Sequence, residues 1–411
     1  MTRAPLSDTD PAQPWLQDPR HRAWLRTEAD QQFAFFRASL NPQGGFHTLN
    51  LDGTPRPDSL QELHSTTRLV HSYALGQSLG LPGAAEIVDH GMRYLWSHHR
   101  DRAHGGYVWG VSGDEVADGR KLAYGHVFVL LAAASAHEIG HPDAPRLIAD
   151  VREVLDQHFW EEKPGLFCDE WNRDWTPFST YRGMNANMHG VEALLAAYEA
   201  TGEALFLTRA GRILDMFTAR MAAAHGWRIP EHYTADWQVD PGYSGNPMFR
   251  PAGTTPGHSF EFGRLLLHWW DLAGRPGDAA PANARRLIER ALADAWDPVR
   301  GGFAYTLDFD GRVVIPARYW WPVTEAIGAV AMLLKLDPRP SDEEWYRRMW
   351  RFADARLIDH DRGGWFPELD DDDRPAMTQF QGKPDIYHAL QATLFPLTPG
   401  LSRHIAGLAA G

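Results

Sequence analysis

The sequence predicts an all-α fold: an (α/α)6 barrel of six helical hairpins with short β-like turns at one end. Two observations predict it. A glycine–aromatic phrase recurs along the 411 residues, and between its copies lie paired segments with helical periodicity. The phrase reads "NPQGGFHTL" around Gly44, "RAHGGYVWG" around Gly105 and "EEKPGLFCDEW" around Gly165. It continues as "AAHGWRIPEHY" around Gly226, "DPVRGGFAYTL" around Gly301 and "HDRGGWFPEL" around Gly363. Successive copies are 61, 60, 61, 75 and 62 residues apart. A fixed period of this kind identifies a repeated structural unit before any single element is assigned.

The elements follow in order. A first helix is expected near residues 20–38. "SLQELHSTTRLVHSYALGQSLG" has apolar residues at three- and four-residue spacing and stops at a glycine, as amphipathic helices do. "AAEIVDHGMRYLWSHHR", "LAYGHVFVLLAAASAHEIG" and "DAPRLIADVREVLDQHFW" behave alike. So do "NMHGVEALLAAYEATG", "ALFLTRAGRILDMFTARM", "GHSFEFGRLLLHWWDLAG", "ANARRLIERALADAW", "VTEAIGAVAMLLKL" and "SDEEWYRRMWRFADARL". A last helix begins at Asp385, giving about twelve helices in all. Segments such as "HVFVLLAAASA" are apolar or small and suit an inner ring; "RLIADVREVL" is amphipathic and suits an outer one. An open solenoid is the alternative arrangement of the same units. The repeat runs through the whole chain, so residues 1–411 are expected to form one domain.

Composition narrows the function. Hydrophobic residues are 44% and charged residues 23% of the chain, enough for a sizeable core. The net charge of −13, without a Lys/Arg cluster, argues against nucleic acid and anionic membrane surfaces. No stretch approaches a membrane span, and the N-terminus lacks a secretory apolar region. Cys168 is the sole cysteine, which excludes an intrachain disulfide and a Cys-rich zinc site. A soluble cytoplasmic protein is expected. The 17 tryptophans serve either as core residues or as stacking surfaces for sugar rings.

In such a barrel, a polar residue at the start of an inner helix faces the central cavity, where chemistry is first sought. "HSTTRLVHSYALG" places Arg68 on an apolar face, as a buried salt bridge or a donor to substrate oxygens. "KLAYGHVFVLL" offers Tyr124, as a core aromatic or a site residue, and His126, which is read as structural. "YRGMNANMHGVEALL" offers Asn185 and Asn187, either of which can cap the helix, then His189 and Glu192 three residues apart. "TTPGHSFEF" repeats that spacing with His258 and Glu261, with Thr254 or Thr255 as the cap. Arg250 lies just before it. "RYWWPVTEA" brings Trp320 or Trp321 and Glu325, and "GKPDIYHALQA" brings Asp385, Tyr387 and His388. His189, His258 and His388 then converge at one end of the barrel.

Three chemistries compete for these residues. A metal site can be built from histidines and glutamates, but no dense carboxylate cluster is apparent. A glycosidase needs two carboxylates across the scissile bond; Asp169, Glu170 and Glu231 lie in turns and leave the histidines unused. Histidine acid–base catalysis fits best, because an imidazole can accept a proton and return it near neutral pH. The positive end of a helix disfavours imidazolium and leaves the ring neutral. Glu261, one turn along from His258, is expected to orient that imidazole. Arg68 and Arg250 are suited to stabilise an enediolate.

The motifs "STTRLVHSYALG", "GMNANMHGVEALLAAYEATG", "TPGHSFEF", "YWWPVTEA" and "KPDIYHALQA", in this order over nearly the whole chain, resemble the N-acylglucosamine 2-epimerase superfamily. They are most similar to its aldose–ketose isomerase branch. The resemblance implies an (α/α)6 barrel and isomerisation of a sugar through a cis-enediol without a metal or cofactor. It implies His258 and His388 as paired acid/base residues and His189 in ring opening. Arg68, Tyr124, Asn185, Arg250, Glu261, Trp321 and Tyr387 are implied at substrate-contacting positions. The implied partner is a monosaccharide, with D-mannose and D-fructose foremost and D-lyxose and D-xylulose beside them; a sugar 2-epimerase of the N-acylglucosamine or cellobiose type and a non-catalytic sugar-binding barrel are the alternatives. A monomer or homodimer is expected. One departure stands out: His64 occupies a position where several relatives carry an aromatic residue.

Overall fold

The computed structural model describes residue 6 and residues 13–56 and 60–410. Twelve helices build the body: α1 (Pro19–Phe36), α2 (Leu63–Ser78), α3 (Ala84–Tyr94), α4 (Ala123–Glu138), α5 (Ala144–Val154) and α6 (Met184–Thr201), followed by α7 (Ala204–Leu214), α8 (Pro256–Leu272), α9 (Ala279–Ala295), α10 (Trp320–Leu336), α11 (Pro340–Phe352) and α12 (Tyr387–Leu394). A short α13 (His404–Ala409) follows. The even-numbered helices from α2 to α12 pack each against the next, and α12 packs against α2, so the inner ring closes. The odd-numbered helices lie outside. Each of α3, α5, α7, α9 and α11 packs on the inner helix preceding it, whereas α1 completes the sixth hairpin by packing on α12. The solenoid alternative is thereby excluded. None of the described helices is long and apolar enough to cross a membrane.

Burial explains which helix takes which layer. In α4, every residue from Gly125 to Ala136 is buried, which its alanine and valine content permits without crowding neighbouring helices. In α5 only one stripe is buried, Ala144, Leu147, Ile148, Val151 and Val154, the three- and four-residue spacing of a helix with one wet face.

The glycine–aromatic phrase forms the turn after each outer helix. Antiparallel bridges join Leu40 to Phe46, Arg100 to Tyr107, Trp296 to Phe303 and Ile358 to Trp365, and the strands Trp160–Glu161 and Leu166–Phe167 pair in the same way. At Gly106 the backbone is left-handed (φ 66°), and a Cβ would meet the Trp175 ring at 2.7 Å and His126 Nε2 at 3.0 Å. Only glycine fits both demands.

Each inner helix is entered from a short extended segment that pairs with the connector of the following hairpin. Before α2, α4, α6 and α10, strands Gln61–Glu62, Lys121–Leu122, Arg182–Gly183 and Arg318–Tyr319 pair with Gly110–Ser112, Glu170–Trp171, His232–Tyr233 and Glu368–Leu369. Thr254, before α8, bridges to Leu307, and Lys383, before α12, bridges to Leu49. This circle of pairings fixes the start of all six inner helices at one end of the ring.

Candidate active site

The residues singled out from sequence come together at that end. His258, Glu261, Trp321, Glu325, Tyr387, His388, His189, Asn185, Tyr124 and Arg68 all fall within the first two turns of inner helices. The Trp321 ring lies against both His258 (centroids 5.1 Å apart) and His388 (5.9 Å). Tyr387 lies 6.5 Å from the His189 ring, and Tyr124 meets His189 edge-on at 5.2 Å. The three histidines therefore share one aromatic-walled site, as their positions in the repeat predict.

His258 and His388 are anchored in the same way. Nδ1 of His258 donates to both oxygens of Glu231 at 2.9 and 3.1 Å. Nδ1 of His388 donates to Glu325 Oε1 at 2.8 Å. In each pair a buried carboxylate fixes the Nδ1–H tautomer and leaves Nε2 with no partner among the described residues. Nε2 is then a lone-pair base whose conjugate acid the carboxylate stabilises.

The expected pairing of His258 with Glu261 is not found. Helical side chains lean toward the helix N-terminus. His258, in the first turn, projects past the helix end and meets Glu231 in the preceding connector. Glu261 is fully buried one turn deeper, where its Oε1 lies 3.4 Å from His189 Nδ1. Neither oxygen of Glu261 has a hydrogen-bond donor. Burial raises its pKa well above the ordinary carboxylate value, and the neighbouring charges of Glu325 and Glu192 raise it further. Glu231, set aside in the sequence because it lies in a turn, is the partner that was missed.

Of the two readings left open for Arg68, the structure shows the buried salt bridge. Its Nη1 donates to Asp385 Oδ2 and its Nη2 to the Tyr124 hydroxyl, both at 2.8 Å. The guanidinium sits between the Phe128 and Tyr387 rings, 4.7 and 4.8 Å from their centroids. Asp385 also accepts from the Tyr387 N–H at 3.0 Å, so it begins α12 and orients Arg68 together. Burial pushes the Tyr124 hydroxyl up to about 12, which keeps it a donor at neutral pH. His189 is driven down to about 4, by burial first and then by the charge of Arg68, against the opposing pull of Glu192. It is a neutral ring at physiological pH.

Two further expectations change. Neither asparagine caps α6: Gly183 occupies that position without a side-chain bond. Asn187 instead clamps the Phe167 main chain, accepting from its N–H at 2.8 Å and donating to its carbonyl at 3.0 Å. Asn185 keeps a buried, unpartnered Oδ1. Thr255 stands at the start of α8, but its hydroxyl makes no capping bond. Arg250 is held by Glu170 and Tyr181, with Nη2 on Glu170 Oε2 at 2.6 Å and its guanidinium 3.9 Å above the Tyr181 ring. His126 is structural, as expected: Nδ1 donates to the Leu122 carbonyl and Nε2 accepts from the Tyr107 N–H.

His189, Glu192 and Glu261 bring potential ligand atoms within 4.8 Å of one another. The positive charge among them is already supplied by Arg264, 3.6 Å from Glu192 and 3.9 Å from Glu261.

Residues 44–392 match the N-acylglucosamine 2-epimerase (GlcNAc 2-epimerase) family. The chain belongs to that family. Within it, the chain is 41% identical to a D-mannose isomerase of Thermobifida fusca over 96% of its own length and 98% of the relative's. It is 38% identical to a D-mannose isomerase of Pseudomonas cannabina pv. alisalensis, over 96% and 97%. A crystal structure of a D-mannose isomerase superposes with a TM-score of 0.86 at 32% identity, covering 91% of this chain and 97% of that one. In this member of the N-acylglucosamine 2-epimerase family, His64 stacks on Trp109 with centroids 5.0 Å apart and planes 8° from parallel. Burial first, then Arg68, lowers its pKa to about 3. It is a neutral flat ring lying against Trp109.

Proposed function

We propose that the protein is an aldose–ketose isomerase that interconverts D-mannose and D-fructose. The observation that carries this reading is the pair of imidazoles, His258 and His388. Each is held by a carboxylate on Nδ1, and both are packed against one tryptophan. Near-full-length similarity to D-mannose isomerases supports the choice of sugar.

In the proposed reaction, His189 assists opening of the sugar ring. Nε2 of His388 then takes the proton from C2 while protonated His258 gives one to O1, so the C1 carbonyl becomes a hydroxyl and a cis-enediol forms. The His388 imidazolium returns its proton to C1 while His258 takes the proton from O2, so C2 becomes the carbonyl and both imidazoles regain their starting states. Atoms and charges balance without an external reductant. Arg68 and Tyr124 are donors to the substrate oxygens, and Arg250, Asn185 and Glu261 are further contacts. No metal or organic cofactor is assigned a role. The packing of α1 on α12 supports reading residues 1–411 as one domain, here taken to work in the cytoplasm as a monomer or homodimer.

Incubation with D-mannose in deuterated water, read by NMR, tests this. The expected result is D-fructose, with solvent deuterium at C1 in the fraction whose His388 imidazolium exchanges before returning its proton. Formation of D-glucose alone makes the protein a 2-epimerase, and sugar binding with neither product nor deuterium uptake makes it non-catalytic.

A further inference from the structure

Helix α8 carries His258, Glu261 and Arg264 at three-residue intervals, a stripe that runs from the open end of the ring into its core. Arg264 is 2% exposed, with its guanidinium 5.2 Å from the Phe395 ring. Nη2 faces groups from four inner helices: Glu325 Oε2 on α10 and Gln391 Oε1 on α12 at 3.4 Å, Glu192 Oε1 on α6 at 3.6 Å, and Glu261 Oε1 on α8 itself at 3.9 Å. A buried charge must be matched to stay in the fold, and three carboxylates around one guanidinium exceed that need.

The division among them follows from their other partners. Glu192 accepts from the Tyr387 hydroxyl and, at 3.0 Å, from Gln391 Nε2. Glu325 accepts from His388 at 2.8 Å. Glu261 has no donor. Burial opposes ionisation of Glu192 and Glu325, but Arg264 and the histidines outweigh it and leave both below the ordinary carboxylate value. Glu325 is therefore an ionised bridge, with one oxygen on a guanidinium and the other on an imidazole.

We propose that Arg264 is a positioning residue for the reaction: it fixes Glu325, and through Glu325 it holds His388 as the Nδ1–H tautomer with Nε2 turned to the substrate. This inference rests on the assignment of His388 as an acting imidazole. Arg264 itself touches neither His388 nor the open end of the site. All four contacts fall on the one nitrogen Nη2; a lysine keeps the charge, but its ammonium sits one bond nearer the backbone and stops short of Glu325, Gln391 and Glu192.

The test compares Arg264→Gln and Arg264→Lys with the wild type. Partners that orient an active group commonly contribute about 10- to 100-fold. We expect kcat to fall by that much in Arg264→Gln with KM within about threefold, and Arg264→Lys to fall between it and wild type. In ¹⁵N NMR of the wild type, His388 is expected as the Nδ1–H tautomer, and in Arg264→Gln that signal weakens or moves. Wild-type kcat in Arg264→Gln, or an Nε2–H tautomer of His388 in the wild type, overturns the proposal. If Arg264→Gln does not fold, Arg264→Lys decides: lowered kcat at unchanged KM supports it, and wild-type kcat overturns it. Should the wild type not isomerise mannose, the isomerase reading fails, while the NMR arm still tests whether Arg264 sets the tautomer.

Discussion

The two histidine–carboxylate pairs use the same contact on the imidazole and differ in what stands behind the carboxylate. Glu231 comes from a connector; both its oxygens face His258 Nδ1, and one also accepts from the Thr255 N–H at 3.1 Å. Glu325 comes from a helix and divides its oxygens between His388 and Arg264. The first pair is held by neutral main chain, which also accepts a neutral partner. The second is one link in a buried charge network that cannot lose a member without leaving another unmatched.

The largest effect tests whether both imidazoles act. Replacing a general acid–base group typically costs about 100- to 10,000-fold, and His388→Asn and His258→Asn are each expected to lose kcat in that range. They differ in the exchange of the C2 proton with solvent deuterium. His388→Asn abolishes it, whereas His258→Asn retains measurable exchange while forming little ketose. Near-normal C2 exchange in His388→Asn would assign proton abstraction elsewhere.

The partner carboxylates sharpen the contrast at a smaller scale. Glu325→Gln removes the negative charge that lies between Arg264 and His388 and leaves Glu192 as the remaining ionised partner of Arg264; breaking a buried pair costs about 3–5 kcal/mol. Glu231→Gln can still accept from Thr255, so its cost is that of a weakened buried hydrogen bond, about 1–2 kcal/mol. Urea denaturation of the two variants measures the difference. Equal losses would mean that the main chain and the guanidinium hold their carboxylates equally firmly.

That asymmetry marks the limit of what the sequence discloses. The helices and their two layers are legible because glycine turns and apolar spacing are local signals. The convergence of His189, His258 and His388 is legible because a repeat fixes where each inner helix begins. The partner of His258 is not, since Glu231 lies on the neighbouring connector and no spacing links them. Three-residue spacing between His258 and Glu261 places both on one helix face, but that face runs from the open end to the core. The two side chains end at different depths. Arg264 was hidden for the same reason: within "FEFGRLLLHWW" it is one charge in an apolar run, and its four partners come from four helices.

Histidines outside the two pairs give a pH test of the surroundings. Burial holds His64, His71 and His126 down to about 3, 4 and 3. Their folded values lie below the unfolded value of about 6.5, so the unfolded chain binds more protons as the pH falls through that window. Each contributes a stability slope of up to about 1.4 kcal/mol per pH unit between about 6.5 and 4, lost toward acid. Asp169, raised to about 8 by burial first and then by Glu170 among opposing cations, contributes the opposite sign. These three rings, with His189 also held down to about 4, outnumber the raised carboxyls of Asp169 and Glu261 and predict a lower urea midpoint at pH 5 than at pH 7; an unchanged midpoint would show that these rings are solvated in solution.

The smallest effect is expected at the group that the two pairs share. The Trp321 ring touches both imidazoles, and a Cβ on Gly257 would meet it at 2.2 Å, so the backbone of α8 packs directly against it. Trp321→Phe keeps an aromatic wall but shortens it. Because removed ring atoms cost both packing and stacking area, KM is expected to rise several-fold on the order of about 1 kcal/mol, with kcat less affected. Since the ring contacts both histidines, ketose formation and C2 exchange are expected to fall in the same proportion. A loss confined to one of them would show that Trp321 supports only one imidazole, and that the two pairs differ in their walls as well as in their anchors.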